Sequence, residues 1–155
     1  MITLNKDTLA EIEKAAAKYP DRNSAIMPGL WAAQREFGYL SDDVIEAVAK
    51  AVGVPKAKAQ GVATYHSLYW KKPIGKNVIM LCTNVACTLV GAETILEHLE
   101  KKLNVHEGGT TADGKFTLME VECIGSCGSG PAVVVNETFY YNLTVQGIDE
   151  ILGKY

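Results

Sequence analysis

The chain has no apolar run approaching the roughly 20 residues that a helical membrane span requires, so no direct membrane insertion is expected. It also lacks an excess of positive charge. Fifteen Lys and Arg stand against 18 Asp and Glu, a net charge of −3, which leaves no electrostatic footprint for nucleic acid or an anionic lipid surface. Glycine-rich phosphate signatures are missing too. Gly125-Ser-Cys-Gly-Ser-Gly130 has the wrong order for a dinucleotide fingerprint, and there is no Walker-type loop. The chain alone is therefore expected to bind no NADH. Only three histidines occur, His66, His98 and His106, with no carboxylate or nucleophile at a telling spacing. They are read as surface or packing residues, and no catalytic residue is assigned. The first seven residues, Met1 to Asp7, lack the basic-then-apolar pattern of a signal peptide. A cytoplasmic location is expected, where reducing conditions argue against structural disulfides.

What is present suits a globular protein. Apolar residues make up 48% of the 155 and charged residues 21%, enough for one ordinary domain or two small ones. Helices come first. Residues 5–19 read as an amphipathic helix with Leu9, Ile12, Ala16 and Tyr19 inward. Asn23 or Ser24 is expected to cap a second helix carrying Ile26, Met27, Leu30, Trp31 and Phe37. Ser41 caps a third that Gly53 stops, and Pro55 opens a fourth running to about Tyr65. Lys71-Lys-Pro-Ile-Gly-Lys76 is the natural boundary, giving an N-terminal helical domain over 1–72 and a second domain over 73–155.

Beyond that boundary the pattern alternates. Asn77 to Cys82 reads as a buried strand, and Thr88 to Lys102 as a helix with Leu89, Ala92, Leu96, Leu99 and Leu103 inward. Phe116 to Val121 reads as a second strand. A hairpin over Ala132–Val135 and Phe139–Asn142 follows, then a final helix from Val145 to Leu152. Strand, helix, strand implies a parallel pair joined by a right-handed crossover. The fold class is thus α+β or α/β, a helical bundle followed by a small mixed domain.

The four cysteines form two pairs, Cys82-Thr-Asn-Val-Ala-Cys87 and Cys123-Ile-Gly-Ser-Cys127. Parallel strands end on the same edge of a sheet, so Cys82 and Cys123 are expected together there, each with its second cysteine one short loop away. Gly125, Gly128 and Gly130 free backbone N–H groups to turn toward sulfur. Cys87, placed just before a helix, would have its thiolate favoured by the helix N-terminus. Thr83, Asn84, Thr88 and Ser126 are expected further donors, which raise a reduction potential, while Glu120 and Glu122 would act the other way. A dithiol oxidoreductase wants Cys-x-x-Cys, which is absent. A structural zinc site needs the same four thiolates, usually on tight knuckles, and the four-residue gap between Cys82 and Cys87 is at the limit for one. The residues favour an iron–sulfur cluster, with zinc second.

The motif Cys-x4-Cys, then Cys-x-Gly-x-Cys followed by Gly130-Pro131, resembles the 24 kDa, NuoE-type subunit family of respiratory complex I, the NADH:quinone oxidoreductase. Gly61-Val-Ala-Thr64, Lys101-Lys-Leu-Asn104 and Thr110 to Leu118 resemble that family as well, over nearly the whole chain. Family members often carry an aromatic pair where Tyr65-His66 stands and a larger residue than Thr88. The resemblance implies a thioredoxin-like domain holding one [2Fe–2S] cluster, with Cys82 and Cys87 on one iron and Cys123 and Cys127 on the other. It also implies an electron-transfer subunit without a complete active site, docked on a larger NADH- and FMN-binding flavoprotein (NuoF-like) beside other peripheral-arm subunits. FMN and NAD then belong to that partner, and the assembly lies on the cytoplasmic side of the membrane. The same subunit type serves NAD-linked hydrogenases and formate dehydrogenases. From another class, a zinc-stabilised docking module remains as an alternative.

Overall fold

The computed structural model describes residues 2–155, which divide into one compact unit ending at Pro73 and a second, Ile74–Tyr155. No helix among the described residues is long and apolar enough to cross a membrane.

The first unit is four helices: α1 (Lys6–Ala16), α2 (Ile26–Phe37), α3 (Asp42–Val52) and α4 (Lys56–Tyr65), with a single 3-10 turn at Arg22–Ala25. Each begins or ends where local chemistry dictates. The Asn5 side chain accepts the Thr8 N–H at 2.7 Å, and Ser41 accepts the Val44 N–H at 3.4 Å, each satisfying an orphan donor of a first turn. Gly38 and Gly53 close α2 and α3 at φ 79° and 84°, a conformation costly for any residue with a Cβ. Ile12, Leu30, Ile45 and Val48 are fully buried between the helices. Gly29 lets them approach, since a Cβ there would stand 3.1 Å from both Ile12 and Val48. Gln34 is a buried polar residue with both ends satisfied: its amide donates to the Leu68 carbonyl at 3.0 Å and accepts the Trp70 N–H at 2.7 Å.

Three expectations are corrected here. Leu9 and Tyr19 face solvent, and Thr8 takes a buried place beside Ile12 and Ala16. The helix ends at Ala16, so Tyr19 lies beyond its stripe. Neither Asn23 nor Ser24 caps α2. Asp21 instead caps the preceding 3-10 turn, accepting the Asn23 N–H at 2.9 Å.

The second unit contains β1 (Asn77–Cys82), α5 (Val85–Leu89), α6 (Ala92–Leu103), β2 (Phe116–Val121), β3 (Val133–Val135), β4 (Thr138–Tyr140) and α7 (Val145–Leu152). The sheet order is β2-β1-β3-β4. β1 and β2 are parallel, in register from Asn77 opposite Phe116 to Cys82 opposite Val121. β3 runs antiparallel to β1, and β4 antiparallel to β3. β1 is central and wholly buried, as its continuous apolar run requires. Ile79, Leu81, Leu118, Val133 and Val135 form a core with Ile95 and Leu99 of α6 and Ile148 and Ile151 of α7.

The single helix expected from Thr88 to Lys102 is two helices. Gly91, at φ 103°, breaks it between α5 and α6. Leu89 therefore leaves the apolar stripe and is 82% exposed, while Ile95 takes a buried place beside Ala92 and Leu99.

Candidate metal centre

Cys82 is the last residue of β1, and Cys123 lies two residues past the end of β2. Because those strands are parallel and in register, both chains leave the sheet at one edge. Cys87 returns to that edge on α5, where its N–H donates to the Asn84 carbonyl at 2.9 Å. Cys127 returns on a 3-10 turn, Cys127–Ser129, closed by the Ser129 N–H to the Ser126 carbonyl at 2.9 Å. All four cysteines are free. Cys82 and Cys87 are buried, whereas Cys123 and Cys127 are exposed.

Their electrostatics show how the sulfurs are arranged. Burial, then the neighbouring Cys82 thiol, pushes the Cys87 thiol up from its ordinary range, with Cys127 adding to the effect. The Cys127 thiol is likewise raised, first by its hydrogen bond with Cys123 and then by the charge Cys123 would carry, with Cys82 again contributing. Each of these two thiols thus responds to its own loop partner and to a cysteine of the other loop, as two loops converging on one edge require. Two cysteine pairs brought to one sheet edge supply the four thiolates that a [2Fe–2S] cluster takes.

Backbone groups hold the sulfurs. The Gly125 N–H donates to Cys123 Sγ at 3.3 Å, from a glycine at φ 76°. Ala132 serves both ends of the first pair: its carbonyl accepts the Cys82 N–H at 3.1 Å, and its N–H donates toward Cys87 Sγ. Gly130 leaves room for that sulfur, since a Cβ there would lie 3.2 Å from Cys87 Sγ and 3.1 Å from Val90. Cys82 Sγ approaches the Glu122 carbonyl at 3.7 Å. These donors and this cradle fit a [2Fe–2S] cluster, whose sulfur ligands are stabilised by N–H groups.

Several residues differ from their expected part. Cys87 does not precede a helix but lies inside α5, a single short turn. The Thr88 hydroxyl donates to the Thr83 carbonyl at 3.0 Å, pinning the loop rather than a sulfur. Asn84 and Ser126 contribute backbone carbonyls. Ala132 is silent in the sequence because an alanine advertises nothing; its position just past Gly130-Pro131 is the one available signal. The histidines are engaged elsewhere. His66 packs edge-on to Tyr65 and Tyr69, His98 pairs with Asp149 at 2.7 Å, and His106 meets Glu100 at 3.3 Å.

Residues 12–155 match the model of the thioredoxin-like [2Fe-2S] ferredoxin family. The chain is 45% identical over 145 residues to one of the E-type NADH-quinone oxidoreductase subunits, numbered 2, of Rhizobium meliloti (strain 1021), spanning 94% of this chain and 86% of that relative. It is 38% identical over 144 residues to the E-type NADH-quinone oxidoreductase subunit of Escherichia coli (strain K12), spanning 93% and 87%. A crystal structure of NAD+-reducing [NiFe]-hydrogenase in the H2-reduced state superposes with a TM-score of 0.69 at 20% identity. That likeness covers 81% of this chain and about a fifth (21%) of the hydrogenase chain, and it speaks to the fold. The chain belongs to the thioredoxin-like [2Fe-2S] ferredoxin family.

Proposed function

We propose that this protein is the iron–sulfur electron-transfer subunit of an NADH:quinone oxidoreductase, exchanging single electrons with FMN on a partner NADH-binding flavoprotein. The observation that carries the reading is the convergence of two cysteine pairs at one sheet edge in a chain of this family. The names of the relatives at 38–45% identity support the choice of complex. When bound, a [2Fe–2S] cluster supplies a one-electron couple. Cys82 and Cys87 would hold one iron and Cys123 and Cys127 the other. Gly125 and Ala132 aim N–H groups at the two sulfurs they contact, where they offset negative charge. The buried pair lies on the protein side and the exposed pair on the solvent side, so the centre is accessible from outside. Val85, Leu89 and Val90, exposed beside Cys87, give that outward face an apolar rim suited to a protein partner.

The test is reduction through a flavoprotein. NADH added to the isolated, cluster-loaded chain is expected to leave its visible absorbance unchanged. Adding a catalytic amount of the FMN-containing partner should bleach it. Absorbance that stays unchanged in both cases, although dithionite bleaches it, would contradict the assignment of the partner.

A further inference from the structure

α5, which carries Cys87, is five residues long and has no side chain capping its N-terminus. A helix that short does not hold its shape unaided. Two residues that each follow a proposed ligand supply the fastening. Thr83 is one past Cys82 and Thr88 one past Cys87, and the Thr88 hydroxyl donates to the Thr83 carbonyl at 3.0 Å. The Thr83 N–H is engaged as well. It donates at 3.1 Å to the carbonyl of Val121, the last residue of β2, two positions before Cys123. The backbone of Thr83 therefore joins the end of β2, the chain leaving β1 and the helix that carries Cys87. From this geometry we infer that Thr88 is a positioning residue: its hydroxyl fixes the placing of Cys87 against Cys82, and with it how the buried pair meets a cluster.

The inference rests on the proposed ligand set. A threonine in a helix commonly turns its hydroxyl back to a carbonyl three or four residues earlier, within the helix itself. Here the acceptor lies five residues back, before the first helical residue Val85. The bond therefore closes the ligand loop instead of serving the helix. The Asn84 carbonyl already accepts the N–H groups of Cys87 and Thr88, at 2.9 and 3.0 Å, which winds the turn but does not reach the strand. Cys82 is held separately, by its N–H to the Ala132 carbonyl at 3.1 Å. Without the hydroxyl, the half-buried Thr83 carbonyl loses its partner, and α5 is freer to shift while Cys82 stays in β1. A pair whose members move against one another grips an iron less firmly and presents it with altered ligand geometry.

The test compares Thr88→Val, which keeps the shape and removes the hydroxyl, with Thr88→Ser, which keeps the hydroxyl. In the cluster-loaded full chain, the readouts are the rate of visible-absorbance loss in excess EDTA and the electron paramagnetic resonance spectrum after dithionite. In the metal-free chain the readout is amide hydrogen exchange. Thr88→Val is expected to lose its cluster about two- to tenfold faster, the range that one hydrogen bond supports, with a shifted spectrum. Exchange should quicken at Thr83, Cys87 and Thr88 and stay unchanged in α6 and α7. Thr88→Ser should match the unsubstituted chain in all three. Unchanged behaviour of Thr88→Val overturns the inference. Equal losses in Thr88→Ser also overturn it, by assigning the effect to methyl packing. So does quickened exchange throughout the second unit, or a Thr88→Val chain that fails to fold, since either makes the residue merely structural. Failure of the proposed function looks different: the unsubstituted chain takes up no two-iron cluster, and the exchange comparison still decides whether the hydroxyl holds the loop.

Discussion

At the scale of single residues, the centre depends on small backbone features more than on polar side chains. Gly130 is the sharpest case, because a methyl there meets Cys87 Sγ at 3.2 Å and Val90 at 3.1 Å, closer than ordinary packing allows. Gly130→Ala is expected to lower cluster occupancy and shift the electron paramagnetic resonance spectrum, leaving the helical unit unaffected. Iron content and spectrum of the purified variant check this; an unaltered spectrum at full occupancy would show that the sulfur does not need the space. The cysteines and flanking glycines were legible in the sequence because their chemistry is rare and their spacing tight. The donors to sulfur were not. Thr88, an obvious polar candidate, turns to the Thr83 carbonyl, and the N–H of Ala132 takes its place. Every residue except proline carries an N–H, so composition cannot say which of them points at a sulfur.

At the scale of elements, the contrast between Leu89 and Leu99 is informative. Both lie on one apolar stripe if the helix is continuous, but Gly91 breaks it, and Leu89 becomes 82% exposed while Leu99 is fully buried. Leu99→Ala should cost about 2–5 kcal/mol of stability, and Leu89→Ala no more than about 0.5 kcal/mol. Urea titrations of the two variants decide this, and equal losses would mean that the stripe is continuous. Periodicity located β1, β2 and α7 because each has a single unbroken pattern on a matching face. It failed at Gly91 because a glycine within an apolar repeat is compatible with either an uninterrupted helix or a left-handed break. The parallel pairing of β1 and β2 was also readable, since a strand–helix–strand order leaves few alternatives.

At the scale of the whole molecule, charge sets how the fold responds to acid. In the first unit, Glu46 is hydrogen-bonded to Lys50 and Lys56, which hold its carboxyl down at about 2 from an ordinary 4.5. In the second, Lys102 and then His98 hold Asp149 below the usual carboxylate range, clamping α7 to α6. A carboxyl depressed in the folded state contributes stability above its unfolded pKa and loses it as pH falls through the folded value. Glu46→Gln should therefore lower the urea midpoint near neutral pH, with the difference fading below about 4.5 and vanishing near about 2. A difference that persists in strong acid would assign the effect to packing instead. Cluster loss acts on the second unit in a separate way. Cys123→Ala should lose or destabilise the cluster and weaken hydrogen-exchange protection around the cysteine loops and β1, because a small domain gains stability from a metal staple.

The most direct test of the central claim is an electron paramagnetic resonance spectrum of the anaerobically purified chain, before and after dithionite, with iron and zinc quantified on the same sample. A spin-½ signal that appears only on reduction, one spin per chain with two irons, is the predicted result. A chain without a signal after reconstitution, holding one zinc in place of iron, would contradict the electron-transfer account.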